Sequence, residues 1–312
     1  MPEFLITGGA GFIGGHIAER LVRDGKSIRI LDDLSSGQES NLAPCGGRAE
    51  VIRGDIRDAA VVAQAVAGVR VVFHLAAIPS VPKSVADPVT THDVNVSGTL
   101  NLLVAARDAK VQRVVFSSSS AVYGETPELP KREDMTPTPI SPYGMHKLMG
   151  EQYCRLFHQL YRIETVCLRY FNVFGPRQDP ASAYAAAIPK FITAILAGRA
   201  PVVFGDGGQT RDFTYVENVV EANLAAARTG AGAVGGVFNI ACGQRISVND
   251  LIQAIARVVG RDVTPKYDPP RVGDVLHSEA DISRAARFLG FRPPMDLASG
   301  LSRTIEWFRK QS

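Results

Sequence analysis

Tyr143 and Lys147 stand four residues apart in Ser141-Pro-Tyr-Gly-Met-His-Lys147, downstream of a serine run, Ser117 to Ser120. A free tyrosine, with a pKa near ~10, is a poor base at neutral pH, but a neighbouring cation favours the phenolate. A depression of roughly three units asks for about 4 kcal/mol. A lysine together with a cationic cofactor ring can supply that in a closed site. The two side chains must then share one face. Leu148, Cys154, Phe157 and Tyr161 recur at helical spacing, so a helix is expected to begin at Tyr143, with Pro142 in its first turn. Positions i and i+4 of a helix are neighbours, which sets phenol beside ammonium. The pair alone equally describes a surface tyrosine and a solvated lysine; the surrounding elements decide between these.

Those elements alternate. Strand-like Phe4 to Thr7 runs into Gly8-Gly-Ala-Gly11-Phe-Ile-Gly14 and then a helix to about Arg23. Glycines between strand and helix permit a tight turn, close approach of a pyrophosphate and close helix–sheet packing, while the helix N-terminus offers free N–H groups. A second strand, Ser27 to Leu31, ends in Asp32-Asp33, where a carboxylate binds the adenosine ribose and repels a 2′-phosphate. Asp32 therefore predicts NAD rather than NADP. Further strands are expected at 50–53, 70–75, 111–116 and 164–169, with helices at 59–67 and 87–109 between them. This alternation predicts an α/β fold: a Rossmann-like, doubly wound parallel sheet whose ligands bind at the carboxyl ends of the strands. The Gly8 turn, Asp32, Asp55, Ala76, Ser119 and Tyr170 all fall at such ends. The boundaries read as a cofactor domain over residues 1–171 and a smaller α/β substrate domain over 172–312. A strand near 237–241 is expected to return to the main sheet, and a helix follows the capping box at Ser247.

The bulk numbers narrow the class. The 312 residues include 46% hydrophobic and 21% charged, enough for an ordinary core, and the net charge of +3 is spread without a basic block. Nucleic-acid and membrane binding are not expected. Cys45, Cys154, Cys167 and Cys242 are scattered, which suits a reducing compartment and argues against a zinc site, so no metal is expected. The chain opens almost directly on a strand, and no apolar run reaches bilayer length. A soluble cytoplasmic protein is expected.

With the glycine turn, the serine strand end and Tyr143-x-x-x-Lys147 in place, the whole chain resembles the extended short-chain dehydrogenase/reductase superfamily. Within it, the nucleotide-sugar 4-epimerases are similar. The segments that carry the likeness are His74-Leu-Ala-Ala77, Asn95-Val-Ser-Gly-Thr99, Phe116-Ser-Ser-Ser119, Leu168-Arg-Tyr-Phe-Asn172-Val-Phe-Gly175, Thr210-Arg-Asp212 and Arg271-Val-Gly-Asp274. The resemblance implies that NAD lies along Gly8, Gly11, Phe12, Ile13 and Gly14, then Asp32, Asp33, Ser36 and Gly37, with Asp55 and Ile56 at the adenine. Leu75, Ala76, Ala77, Asn95, Ser117, Tyr143, Lys147 and Tyr170 would complete the channel. A UDP-sugar would meet Ser80, Ser119, Ser120, Tyr143, Phe171, Asn172 and Ala187. Val202 and Phe204 would take the uracil, Arg211 and Arg271 the diphosphate, Asp274 the ribose, and Ser278 the sugar's 2-substituent.

Tyr143 would then be the base at the C4 hydroxyl, helped by Ser119, with Lys147 holding the nicotinamide ribose and lowering the phenol's pKa. Two positions narrow the reaction by resemblance. Ala121 stands where related dehydratases and decarboxylases carry an acid. Ser278 stands where glucose/galactose-restricted epimerases tend to carry tyrosine, leaving room for an acetamido group. Asp179 to Pro189 and Ser80 to Ser84 also look like the N-acetylhexosamine-preferring branch. Pro79 departs from relatives that carry lysine near the nicotinamide. The expectation is reversible C4 epimerisation of UDP-N-acetylglucosamine and UDP-N-acetylgalactosamine, alongside the plain hexoses, by a homodimer. A UDP-glucuronate 4-epimerase or NADH-releasing dehydrogenase is the alternative within catalysis. A non-catalytic nucleotide-sugar-binding regulator is the alternative outside it.

Overall fold

Alternate residues of the central strands feed opposite layers, and this period of two organises the molecule. The computed structural model describes residues 2–180, 187–270 and 275–311. Strands β1 (Phe4–Thr7), β2 (Ile28–Asp32), β3 (Ala49–Arg53), β4 (Val71–His74), β5 (Arg113–Ser119) and β6 (Glu164–Tyr170) join a later strand in one seven-stranded sheet. Short strands β7 (Val173–Phe174), β8 (Val202–Phe204), β9 (Thr210–Arg211) and β10 (Thr214–Tyr215) follow, and β11 (Gly236–Ile240) is the seventh member of the sheet. The order is β11-β6-β5-β4-β1-β2-β3, parallel throughout. The order in which strands are added reverses between β1 and β4, and such a switch point opens a crevice at the strands' carboxyl ends.

Ile6, Ile30, Phe73, Val115 and Leu168 pack under α1 (Phe12–Arg23) and a later helix spanning Val216–Arg228. Leu5, Leu31, Val72, Val114 and Phe116 face the other way. There they meet α2 (Ala59–Val66), α5 (Gly98–Asp108) and α6 (Pro142–Tyr161). Between α2 and α5 lie the short α3 (Val81–Ala86) and α4 (Pro88–His92). The expected long helix over 87–109 is interrupted: a π turn, Asp93–Ser97, separates α4 from α5. β5 also runs three residues past its expected end at Phe116, because Ser117 to Ser119 pair with Leu168 to Tyr170. The serines are thus strand residues, not a loop.

α7 (Ala187–Leu196), α8 (Val216–Arg228), α9 (Val248–Val259), α10 (Ser283–Leu289) and α11 (Leu297–Gln311) complete the helices. α7, α9 and α11 share a separate apolar cluster with Phe174, Phe213 and Tyr215. β12 (Ile246–Ser247) pairs with β9, and β13 (Lys266–Asp268) with β8. β13 and α3 carry no clear periodic signal in the sequence. Among the described residues, no helix is long and apolar enough to cross a membrane.

Candidate active site

The glycine turn sits at the switch point. Gly8 has φ +70°, and a Cβ there would lie 2.7 Å from the Ala76 backbone nitrogen on β4's extension. A Cβ on Gly14 would lie 2.2 Å from the Gly8 carbonyl oxygen, so α1 can reach the strand only with glycine there. Gly11 is the N-cap of α1; no side chain caps the helix and no acid occupies its first turn. Its N–H groups and positive dipole end are available to a phosphate. Phe12 and Ile13 open the helix.

Asp32 is buried at the end of β2. Its Oδ2 accepts from Ala10 N (2.8 Å) and its Oδ1 from Leu34 N (2.9 Å). Burial raises its pKa against the pull of these donors. The carboxylate therefore shapes the glycine turn itself, and each oxygen keeps a further acceptor position. Asp33 accepts from Ser35 N and Oγ, and Ser36 and Gly37 lie in the same loop. Asp55 is forked by Arg57 Nε (2.9 Å) and Nη2 (2.6 Å), which holds its carboxyl below the usual range, and Ile56 is buried beside it. An uncapped helix end, a glycine-rich turn and acids at successive strand ends fit a dinucleotide.

A buried chain of hydrogen bonds runs behind Ala76. Ala76 N–H donates to Thr7 Oγ1 (3.2 Å), and Thr7 Oγ1 lies 2.7 Å from His74 Nδ1. His74 Nε2 lies 2.9 Å from Thr99 Oγ1, whose hydroxyl donates to Asn95 O (2.7 Å). Since Thr99 gives its proton to Asn95, it must accept from His74, which fixes the imidazole tautomer. Burial and the charge on Lys147 push the His74 pKa down to about 3, so the ring is neutral. Asn95, in the π turn, clamps the loop beyond Leu75, Ala76 and Ala77: its Oδ1 accepts from Ile78 N (2.7 Å) and its Nδ2 donates to Ile78 O (3.2 Å). Sequence reasoning used His74 and Thr99 only as motif letters; their partners lie 67 and 25 residues away from His74.

α6 meets the end of β5 at three levels, one helical turn apart. The Tyr143 phenol faces Ser119, which favours its ionised form, and Ser119 Oγ accepts from Ala121 N (3.1 Å). Lys147 Nζ donates to Ser117 O (2.8 Å). Glu151 accepts from Ser118 Oγ and is paired with Arg169 on β6 at 2.9 and 2.8 Å. Lys147 Nζ stands 5.9 Å from the Tyr143 ring centroid and 5.2 Å from that of Phe116. The helical spacing expected for phenol and ammonium is present. Within the chain, burial pushes the Tyr143 pKa up and Ser119 opposes it; the expected depression called on a cationic cofactor ring as well as on the lysine. Burial also lowers Lys147 to about 8, against the pull of Glu151. Ser120 begins a single helical turn, Ser120–Tyr123, directly after β5.

Other expected positions are placed less directly. Tyr170 is buried, and its hydroxyl lies 3.1 Å from Asn223 Oδ1 and 2.9 Å from Asn223 Nδ2 on α8. Phe171 is fully buried against Tyr123, with its N–H on Ile240 O. Ser80 Oγ caps α3 by accepting from Lys83 N (3.2 Å). Asn172 donates from Nδ2 to Asp212 O (3.0 Å), and Arg211 donates from Nη1 to Thr210 O and Leu276 O. Ser278 N donates to Thr210 O (3.0 Å), so Ser278 adjoins the strand that carries Arg211. Ala187 opens α7. Arg271, Asp274 and the 181–186 stretch lie outside the described residues.

Val202 and Phe204 point to one side of β8. Phe204 joins Gln209, Tyr267, Asp268, Pro270 and Leu276 around a cavity of about 770 Å³. Asp212 is the hub beneath: its carboxylate accepts from Cys242 N (3.0 Å), Gly243 N (3.0 Å) and Ala280 N (3.3 Å). Burial raises its pKa to about 6 against these donors. Its place in Thr210-Arg-Asp212 was the only signal for it.

The model of the NAD dependent epimerase/dehydratase family matches residues 4–241. The UDP-glucose 4-epimerase of Mycolicibacterium smegmatis is 43% identical over 313 residues, 99% of each chain. The solved UDP-N-acetylglucosamine 4-epimerase of Methanobrevibacter ruminantium M1, in complex with UDP-N-acetylmuramic acid, superposes with a TM-score of 0.95 at 43% identity. It covers 100% of this chain and 99% of its own. The UDP-glucose 4-epimerase of Thermotoga maritima, solved with UDP-glucose, gives a TM-score of 0.94 at 39% identity over 99% of each chain.

Proposed function

Because the chain belongs to the NAD dependent epimerase/dehydratase family, we propose that it reversibly inverts C4 of UDP-sugars through a 4-keto intermediate, with NAD held throughout. UDP-N-acetylglucosamine and UDP-N-acetylgalactosamine are its substrates, alongside UDP-glucose and UDP-galactose. The observation that carries this is the Ser119–Tyr143–Lys147 constellation at the carboxyl edge of a sheet whose glycine turn fits a dinucleotide.

Tyr143 takes the proton of the C4 hydroxyl and returns it after inversion; Ser119, which faces the phenol, holds the C4 oxygen in line. When bound, NAD would supply the hydride acceptor for C4 and, reduced, the hydride donor for the return. Lys147, anchored on Ser117 O, holds the nicotinamide ribose and places a cation near the phenol. That cation matters because burial alone holds Tyr143 protonated. The remaining cofactor residues act as the glycine turn and strand ends suggest, with residues 1–171 as the cofactor domain. Residues 172–312 hold the UDP-sugar, with uracil at Phe204 and the diphosphate at Arg211 and Arg271. Ala121 leaves no acid for elimination, and Ser278 leaves room for the acetamido group.

The protein acts in the cytoplasm as a homodimer through α4–α5 and α6. Val89, Leu156 and Leu160, 71%, 44% and 60% exposed, support that face. The test is incubation of purified protein, without added NAD, with UDP-N-acetylglucosamine and with UDP-glucose in separate tubes, followed by product separation. The C4 epimer is expected in both. Product from UDP-glucose alone would remove the acetamido reading and keep the reaction. Turnover of UDP-glucuronate only, or release of NADH, would replace the reading with one of its catalytic alternatives.

A further inference from the structure

The first turn of α6 has two of its free N–H groups capped from different places. Gly144 N–H donates to the helix's own N-cap, Ser141 Oγ, at 3.1 Å. Tyr143 N–H donates at 3.0 Å to Ser84 Oγ, which belongs to α3, 59 residues earlier. Ser84 has no exposed surface. Its hydroxyl proton is already given to Val81 O (2.7 Å), so toward Tyr143 its oxygen can act only as an acceptor. Its own backbone is fixed as well: Ser84 N donates to Ser80 O (3.0 Å), and Ser80 Oγ caps α3.

The two caps do different work. A cap from Ser141 stabilises the helix but leaves it free to shift as a body. A cap from Ser84 ties the backbone of residue 143 to a neighbouring helix, and so sets the height and rotation of the first turn against α3. At its other end, the Tyr143 phenol faces Ser119 on β5. We infer that Ser84 is a positioning residue for the Tyr143 phenol, acting through the backbone N–H of residue 143. Reaction geometry is steep in distance: a displacement of about 1 Å can cost on the order of a hundredfold in rate. The inference rests on the reading of Tyr143 as the base.

The experiment compares kcat, KM and thermal stability for Ser84→Ala, Ser84→Cys, Ser141→Ala and Tyr143→Phe, using whichever UDP-sugar the wild-type protein converts. Ser84→Ala should lower kcat by about 10- to 100-fold with KM within about twofold. Ser84→Cys keeps the size with a weaker acceptor and should fall between; it carries the test if the alanine variant does not fold. Ser141→Ala should lose comparable thermal stability yet keep kcat. Wild-type kcat in the foldable Ser84 variants, with Tyr143→Phe inactive, overturns the positioning role alone. Equal kcat losses in Ser84→Ala and Ser141→Ala overturn it too, since capping would then explain both. Wild-type turnover in Tyr143→Phe removes the base, and the inference with it.

Discussion

The Lys147 amine is caught between burial, which strips it of water, and Glu151, which favours its charge. Burial wins, and the pKa falls from its ordinary 10.5 to about 8. The sign for stability follows. Between about 8 and 10.5 the unfolded chain binds this proton and the folded chain does not, so this group's contribution to stability rises with pH across that window. For activity the sign is opposite, because the account needs the ammonium. The account also needs the phenolate, which burial pushes above its ordinary range, so turnover at saturating substrate should rise with pH up to about 8 and level off above it as the ammonium is lost; a pH–kcat profile checks it. Turnover that kept climbing with pH well above 8 would contradict the role. The sequence showed the spacing of Tyr143 and Lys147 correctly. It could not show how strongly burial works against the phenolate, because the elements packed around Tyr143 are distant in the chain. Ser84 and the Thr7–His74–Thr99 chain were illegible for the same reason: their partners meet only through the fold.

The site depends on α6 lying against β5 and β6, and Glu151 with Arg169 ties the helix to β6. Both side chains are buried, at 2% and 3% exposed. Breaking such a pair leaves an uncompensated charge; removing both members is far milder. Glu151→Leu should therefore cost about 3–5 kcal/mol in denaturant unfolding. Glu151→Leu combined with Arg169→Leu should recover most of that stability. If the single substitution were neutral, the pair would not hold helix to sheet. The helix itself was legible from its apolar spacing and from Pro142. The π turn at Asp93–Ser97 was not, since its sequence reads as ordinary helix and the bulge is apparent only from the backbone path through Asn95.

Across the whole molecule, the sheet was the most legible part, because buried parallel strands read as short apolar runs between glycines and helices. The substrate lobe was harder. β9 and β12 are two-residue strands held by neighbours distant in sequence, and β13 lacks a periodic signal. The cavity beside Phe204 gathers residues from 204 to 276 that no local pattern joins. The exposed apolar side chains of α4 and α6 lead to a prediction at this scale. Sedimentation should give twice the 33.5 kDa chain mass, and Leu160→Glu should shift the protein toward the single chain. A monomer in the unsubstituted protein would contradict the dimer.

The central claim is that the phenol of Tyr143 moves the C4 proton in a reversible inversion. The most direct test measures conversion of UDP-N-acetylglucosamine by the wild-type protein and by Tyr143→Phe, at equal concentrations of folded protein. The account predicts the C4 epimer from the wild type and a loss of at least about a hundredfold in the variant. Comparable turnover by the two proteins would contradict it.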